Sequence, residues 1–109
     1  MKIGILTSGG DCPGLNAVIR GFAKYAYENI KNVQLVGIAD GYGGLIHNEF
    51  RLMKEQDFVG ILNVGGTILG TSRQPFKLMT VEDDNSVTRL DLMKQNYKKM
   101  GLDCLLTLG

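Results

Sequence analysis

Apolar and polar positions over the first third of the chain follow periods that predict a strand, a helix and a second strand. The apolar run 3–7 is rich in β-branched residues and precedes a glycine pair, which predicts a buried strand. From Leu15 to about Asn29, apolar residues recur at helical spacing and predict an amphipathic helix. Its apolar stripe consists of Leu15, Val18, Ile19, Phe22, Ala23, Ala26 and Ile30. Residues 33–39 predict a second strand, which completes a βαβ unit.

The middle of the chain has a weaker pattern. Residues 40–44 are rich in glycine and predict a loop, and residues 45–54 fit either a short strand pair or irregular chain. Residues 55–63 fit a short helix, and residues 74–87 predict a second loop.

Clear start and stop signals delimit the last predicted helix. Thr88 precedes Asp91 at the spacing of a capping box, and Gly101 follows the helix as a C-cap. The apolar residues on one face of this helix are Leu90, Met93, Tyr97 and Met100. Residues 102–108 then predict a final strand, apolar enough to require cover on both faces. We therefore expect residues 1–109 to be the first portion of a longer protein.

The order of these elements predicts an α/β fold with a doubly wound, mainly parallel sheet. Because the glycine-rich segments follow strands, they should lie at the carboxyl ends of those strands. Open α/β sheets bind their ligands at that edge.

Composition excludes several classes of protein. The chain has 109 residues, 44% of them hydrophobic, and a net charge of +1, so disorder is not expected and no basic surface indicates binding to nucleic acid or anionic membranes. No apolar run reaches the roughly 18 residues of a membrane span. Cys12 and Cys104 form no CxxC motif, and His47 is the single histidine, so we expect reduced thiols and no zinc site. Glycine, at 15 residues, is about twice as frequent as average.

The first candidate site joins the first strand to the first helix, at residues 8–16. Backbone N–H groups at such a helix start attract phosphate. The segment lacks the GxGxxG pattern of dinucleotide-binding folds, which argues against hydride transfer. Gly9 and Gly14 have the outer spacing of a Walker A loop, but Leu15 and Asn16 stand where that motif needs lysine and Ser/Thr. A tight turn without a ligand is the alternative.

The second candidate site is the segment 66–73, in which two hydroxyls and Arg73 follow a glycine. Arginine grips phosphate oxygens in a bidentate manner and neutralises the charge that develops in phosphoryl transfer. A solvated arginine at a strand end is the alternative. Tyr42 could stack on a nucleotide base or merely pack over its loop.

Three other features are weaker candidates. Arg20 and Lys24 lie one turn apart on the polar face of the first helix. Two interpretations are open: the pair belongs to a solvated face, or it forms half of an anion site at a subunit contact. His47 is interpreted as a loop histidine. Cys12 has no His or Asn partner in motif spacing, so we do not expect a cysteine nucleophile.

Three blocks of this sequence, in this order, resemble the N-terminal part of the 6-phosphofructokinase family. They are residues 4–16 (Gly-Ile-Leu-Thr-Ser-Gly-Gly-Asp-Cys-Pro-Gly-Leu-Asn), residues 40–45 (Asp-Gly-Tyr-Gly-Gly-Leu) and residues 65–73 (Gly-Gly-Thr-Ile-Leu-Gly-Thr-Ser-Arg). The resemblance extends over essentially all 109 residues, which would then be the N-terminal portion of the domain that binds the phosphoryl donor.

The resemblance implies transfer of a phosphoryl group from ATP or pyrophosphate, with Mg²⁺, to the 1-hydroxyl of fructose 6-phosphate. By similarity, Gly10 binds the donor through its backbone, Tyr42 lies near the nucleotide, and Arg73 contacts the donor phosphates and the transition state with Gln74 beside it. Gly109 resembles the start of the family's next phosphate loop, which completes the donor and Mg²⁺ site.

Other implied properties lie outside this segment or depart from the family pattern. The family's catalytic aspartate, its acidic metal ligands and most of the sugar-phosphate site lie downstream, so no metal ligand is predicted within these residues and the isolated segment should be inactive. Arg20 matches an effector-binding arginine, and Lys24 stands where another arginine is common. The resemblance also implies a homo-oligomer, dimer or tetramer, and the reduced thiols expected above favour a cytoplasmic location. A related lipid or NAD kinase and a non-catalytic nucleotide-binding fragment are the alternatives.

Overall fold

The computed structural model describes residues 1–8, 14–60, 68–70 and 87–108. The helices and strands in these residues are β1 (Lys2–Thr7), α1 (Leu15–Asn29), β2 (Gln34–Ile38), α2 (Tyr42–His47), β3 (Phe50–Met53), a 3-10 helix (Glu55–Phe58), α3 (Arg89–Met100) and β4 (Cys104–Leu108).

The strands form one sheet in the order β3-β2-β1-β4. β1 is parallel to both of its neighbours, with Ile5 opposite Gly37 on one side and Leu106 on the other, whereas β3 runs antiparallel to β2. Helix α1 and the 3-10 helix cover one face of the sheet, and α2 and α3 cover the other. The expectation of an α/β, doubly wound, mainly parallel sheet is therefore confirmed.

The core under α1 follows the predicted helical stripe with one correction. Leu15, Ile19, Ala23 and Ala26 are buried, the last three in a cluster with side chains of the sheet. Val18 was expected to join them, but its side chain is 51% exposed. The buried positions are three or four residues apart in a narrow stripe, and Val18 lies on its flank.

The core on the other face lies between the two shorter helices, α2 and α3, and side chains of β1 and β2. Its buried members are Leu6, Val36, Ile38, Leu45, Met100 and Leu102. Met93 and Tyr97 are half-buried against it, but Leu90 is 39% exposed. The apolar side chains of β4 are only half-buried by the described residues, so the expected cover on both faces is not provided by them.

The predicted loop at residues 40–44 is wrong, because Tyr42 begins α2 and both following glycines are helical. Tertiary packing overrides the poor helix propensity of glycine here. A Cβ on Gly44 would lie 2.0 Å from the Ala39 carbonyl oxygen, so only glycine lets the helix approach β2 so closely. His47 accordingly lies in the last turn of a helix and not in a loop.

The chain after α2 contains less helix than predicted. Neither interpretation of residues 45–54 is correct as a whole, because α2 extends to His47 and the one strand that follows, β3, pairs with β2. The helix expected over residues 55–63 is a 3-10 helix that ends at Phe58, and residues 61–63 lie outside the described residues. Most of the loop predicted for residues 74–87 also lies outside them.

Helix α3 begins and ends as predicted. The Asp91 N–H donates to the Thr88 hydroxyl at 3.0 Å, and the Thr88 N–H donates to the Asp91 carboxylate at 3.2 Å. Gly101 ends the helix in the left-handed conformation, with φ of 70°. The chain then turns into β4, where the Asp103 N–H donates to the Lys2 carbonyl at 2.7 Å.

Candidate functional site

The carboxyl ends of β1 and β4 lie side by side, at the point where the strand order changes direction. Thr7 is opposite Leu108, and the Ser8 N–H donates to the Leu108 carbonyl at 2.7 Å. The chain continues from β1 through α1 to one side of the sheet, and β4 is added on the other side. Such a switch point leaves a crevice between the diverging connections, which is where open α/β sheets bind ligands.

Residues 68–70 are held at this edge by three hydrogen bonds. The Ile68 N–H donates to Asn16 Oδ1 at 2.9 Å. The Leu69 carbonyl accepts from the Asp40 N–H at 2.8 Å, and the Gly70 carbonyl accepts from Thr7 Oγ1 at 2.7 Å. The chain therefore enters segment 71–73 from a point fixed to the ends of β1 and β2.

The amino end of α1 lies at this edge, and its own first turn supplies no neutralising carboxylate. Its N-cap residue Gly14 makes no side-chain hydrogen bond, and no acidic residue lies in the first turn. A helix amino terminus carries about half a positive charge and has N–H groups without helical acceptors. The arrangement suits an anion such as a phosphate group.

Tyr42, a residue proposed from the sequence, is the first residue of α2 and follows Gly41. Its ring is half-buried against the cluster of Leu6 and Ile38, so it packs in part on the core under α2 and α3. Contact between this ring and a base stays a prediction.

The other residues predicted to bind the donor lie outside the described residues. They are Gly10, Arg73, Gln74 and Gly109. Cys12 lies outside them as well. Gly109 directly follows Leu108 in sequence, Gly10 lies two residues after Ser8 and Arg73 lies three residues after Gly70. Ser8, Gly70 and Leu108 all belong to the hydrogen-bonded group above.

Sequence reasoning missed Thr7 and Asn16, the two side chains that hold residues 68–70. Both are buried polar residues, 0% and 2% exposed, among apolar neighbours. A polar residue at a position that the pattern assigns to the core is a signal for a specific hydrogen bond. The partners could not be found, because they lie 63 and 52 residues away along the chain.

A cavity of about 410 Å³ lies next to residues 68–69 on the side of β2 and β3. It is lined by Gly37, Ala39, Asn48, Glu49, Phe50, Arg51, Ile68 and Leu69. Glu49 and Arg51 give it both signs of charge, so its lining does not select an anion.

The structure brings Arg20 and Lys24 together at a second cavity, of about 130 Å³. Both side chains are exposed, and Tyr27, Glu55 and Phe58 also line the space. Burial raises the pKa of Tyr27, and the charges of Glu55 and Asp57 raise it further. Among the described residues, no group accepts from or donates to the buried Tyr27 hydroxyl. The lining of this cavity thus contains two cationic side chains and one carboxylate.

The described residues give no sign of a resident metal or of a membrane span. Within them, no three His, Cys, Asp or Glu side chains form a group that could hold a metal ion. No helix in this part of the chain is long and apolar enough to cross a membrane.

A comparison with known protein families identifies the family to which this chain belongs. Residues 2–109 match the family described as "Phosphofructokinase". The chain therefore belongs to the phosphofructokinase family.

Individual relatives agree with this assignment. An ATP-dependent 6-phosphofructokinase of Spirochaeta thermophila is 52% identical over 97% of this chain, and ATP-dependent 6-phosphofructokinase 3 of Bacteroides thetaiotaomicron is 47% identical over 100% of it. These matches cover 30% and 32% of the two relatives, so the chain spans about a third of their length.

Solved structures show the same fold. The T-state phosphofructokinase of Pichia pastoris matches 97% of this chain with a TM-score of 0.78 and 30% identity. Phosphofructokinase from Saccharomyces cerevisiae matches 97% with a TM-score of 0.77 and 28% identity. The matched parts are 11% and 13% of those chains.

Proposed function

We propose that these residues are the N-terminal portion of a 6-phosphofructokinase, which transfers the γ-phosphoryl group of ATP to the 1-hydroxyl of fructose 6-phosphate in glycolysis. Family membership supports the class of reaction. The observation that carries the site is the hydrogen bond from Thr7 to Gly70, because it joins the two segments in which the phosphate-binding residues are expected.

ATP is the proposed donor, in preference to pyrophosphate. The two relatives that are 47% and 52% identical to this chain over the aligned residues are named as ATP-dependent. Mg²⁺ belongs to the proposal through the family resemblance, and bound to the donor it would neutralise phosphate charge. The described residues contain no cluster to hold the ion, so we assign it no ligand among them.

The residues of this chain would bind and orient the donor phosphates. The amino end of α1 and the backbone of Gly10 would supply N–H donors, and Arg73, with Gln74 beside it, would neutralise charge that develops during transfer. Tyr42 would lie near the nucleotide, and Gly109 would open the next phosphate loop. The base that accepts the proton of the 1-hydroxyl would come from outside these residues.

The proposal extends to assembly and regulation. We expect a cytoplasmic homo-oligomer, with Arg20 and Lys24 contributing to an effector site for an anion. The cavity between these two cations supports that role, although Glu55 beside them would repel an anion and reduce its affinity.

A direct assay tests the proposed function. The intact protein that carries these residues is incubated with ATP, Mg²⁺ and fructose 6-phosphate, and fructose 1,6-bisphosphate is quantified. We expect turnover of about 1–100 per second, as is usual for kinases. Phosphorylation of a lipid or of NAD instead would reassign the substrate, and ATP binding without any turnover would indicate a non-catalytic module.

A further inference from the structure

Thr7 is a polar residue that ends a strand of buried apolar side chains. Its side chain is 0% exposed, so its hydroxyl has no access to water and needs partners within the protein. The hydroxyl donates to the Gly70 carbonyl at 2.7 Å.

The segment that receives this bond is held in a defined geometry. Gly70 has φ of +76°, and a Cβ there would lie 2.4 Å from Asp40 Oδ1, so the close contact requires glycine. Asn16 Oδ1 accepts from Ile68, and the Leu69 carbonyl accepts from Asp40. Residues 68–70 are thus attached to β1, to α1 and to the end of β2.

Each of the two residues joined by this bond is followed, three positions later, by a residue of the proposed site. Thr7 is three residues before Gly10, and Gly70 is three residues before Arg73. Both separations are short, so the Thr7–Gly70 bond joins the described residues from which the chain continues to Gly10 and to Arg73.

We propose that Thr7, assisted by Asn16, is a positioning residue for phosphoryl transfer: its hydroxyl sets the point from which the chain extends to Arg73. This inference rests on the proposed function, and it adds a role that acts through Arg73 and not by contact with substrate. Catalysis of phosphoryl transfer depends on position and charge, and a displacement of about 1 Å can reduce a rate about 100-fold.

Two substitutions at Thr7 separate the hydroxyl from the shape of the side chain. Thr7→Val retains the β-branched shape and removes the donor, whereas Thr7→Ser retains the donor. In the intact protein we expect Thr7→Val to lower kcat for fructose 6-phosphate phosphorylation about 100-fold, with the KM for ATP changed less than about threefold. Thr7→Ser should stay within about threefold of the unmodified protein in kcat.

A double-mutant cycle distinguishes positioning from a general structural role. If Thr7 acts through Arg73, Thr7→Val should cost less than about threefold in kcat when Arg73 is already alanine. The same factor in both backgrounds would overturn the inference while leaving the proposed function intact. Failure of the unmodified protein to phosphorylate fructose 6-phosphate would overturn both.

Amide hydrogen exchange supplies a readout that does not depend on activity. Thr7→Val should speed exchange at the Ile68 and Asp40 amides at least tenfold relative to Thr7→Ser. The Ile68 amide donates to Asn16 and the Asp40 amide donates to the Leu69 carbonyl, so both bonds depend on the position of residues 68–70. Equal exchange in the two variants would overturn the inference. If Thr7→Val does not fold, Asn16→Leu, which removes the acceptor for the Ile68 N–H, is compared with the unmodified protein in the same cycle.

Discussion

Helix α1 has Gly14 at its N-cap and Ala17 at its third position, where α3 has Thr88 and Asp91. The four residues of these two pairs occupy equivalent positions, but only the α3 pair closes a capping box. The amino end of α3 is therefore hydrogen-bonded and neutralised by its own side chains, whereas that of α1 has neither form of compensation from its own first turn.

The two helices also differ in what their buried asparagines bind. Asn16 in α1 accepts from Ile68, in the segment that leads to Arg73. Asn96 in α3 donates to the carbonyls of Leu45 and Ile46 and so fixes one helix on another. The Asn16 bond therefore attaches α1 to the segment proposed to lead to the donor site, whereas the Asn96 bonds attach α3 to α2.

The largest expected effect is that of removing Arg73, and the matched control is Arg89, the first residue of α3. Arg73→Ala in the intact protein should lower kcat by about 1,000-fold or more, since one charge-neutralising arginine has that value in phosphoryl transfer. Arg89→Ala, at the first position of α3, should change kcat less than about threefold. Steady-state kinetics with fructose 6-phosphate and ATP measure both effects. Equal losses of kcat would contradict the proposed difference between the edge beside α1 and the amino end of α3.

Removal of the polar contact between α3 and α2 should reduce stability. Asn96 is 5% exposed and donates to the two carbonyls at 2.7 and 2.9 Å, so Asn96→Leu leaves buried acceptors without this donor. The expected loss is about 2 kcal/mol in the free energy of unfolding. Asn29→Ala is the control, because Asn29 is exposed and donates to the carbonyl of Tyr25 in its own helix. Its loss should cost about 0.5 kcal/mol or less. Urea unfolding measures both, and an Asn96→Leu cost as small as the control would contradict the assigned role.

An acidic residue at the third position of α1, equivalent to Asp91 in α3, should have opposite effects on the stability of the helix and on the binding of ATP. Ala17 is exposed, so Ala17→Glu should not disturb packing and should stabilise the helix by about 0.5 kcal/mol through its dipole. The same charge repels a bound phosphate by about 2 kcal/mol at about 8 Å and an effective dielectric of about 20. We therefore expect the KM for ATP to rise about 30-fold with Ala17→Glu and to stay unchanged with Ala17→Gln. Equal KM values for the two variants would show that no phosphate lies near this helix end.

The smallest effect is expected at the α3 cap. Thr88→Ala should cost about 1 kcal/mol at neutral pH, because the hydroxyl accepts from the third N–H of the helix. Unfolding of the intact protein by urea measures this loss, and a change below about 0.3 kcal/mol would indicate that the cap is dispensable.

The same cap should make stability depend on acid. The backbone N–H of Thr88 lowers the pKa of Asp91, and the Thr88 side chain lowers it further. A carboxyl with a lower pKa in the folded state stabilises above its unfolded pKa, and that contribution disappears as pH falls through the folded pKa. The advantage of the unmodified protein over Asp91→Asn in unfolding free energy should thus be present at pH 7 and vanish in strong acid. An advantage that is independent of pH would contradict this account.

Sequence patterns predicted the elements whose signals are local. The capping box at Thr88, the left-handed Gly101 and the stripe of Ile19, Ala23 and Ala26 all depend on residues within a few positions of one another. These features were therefore readable from spacing, and they set the order of strands and helices that defines the fold.

Features that depend on distant parts of the chain were not predicted. Helix α2 was missed because glycine disfavours helices, and its reason, close packing of Gly44 on Ala39, exists only in the folded sheet. The exposure of Val18 likewise depends on what packs around α1. The bonds of Thr7 and Asn16 join segments separated by 63 and 52 residues, which spacing cannot pair.

The central claim, that the edge beside α1 binds the donor phosphates, is tested most directly by following backbone amide chemical shifts while MgATP is added to the intact protein. The account predicts large shifts at Ser8, Leu15 and Gly70 and none at Arg89 and Asp91. Shifts confined to the amino end of α3, or none at either helix, would contradict it.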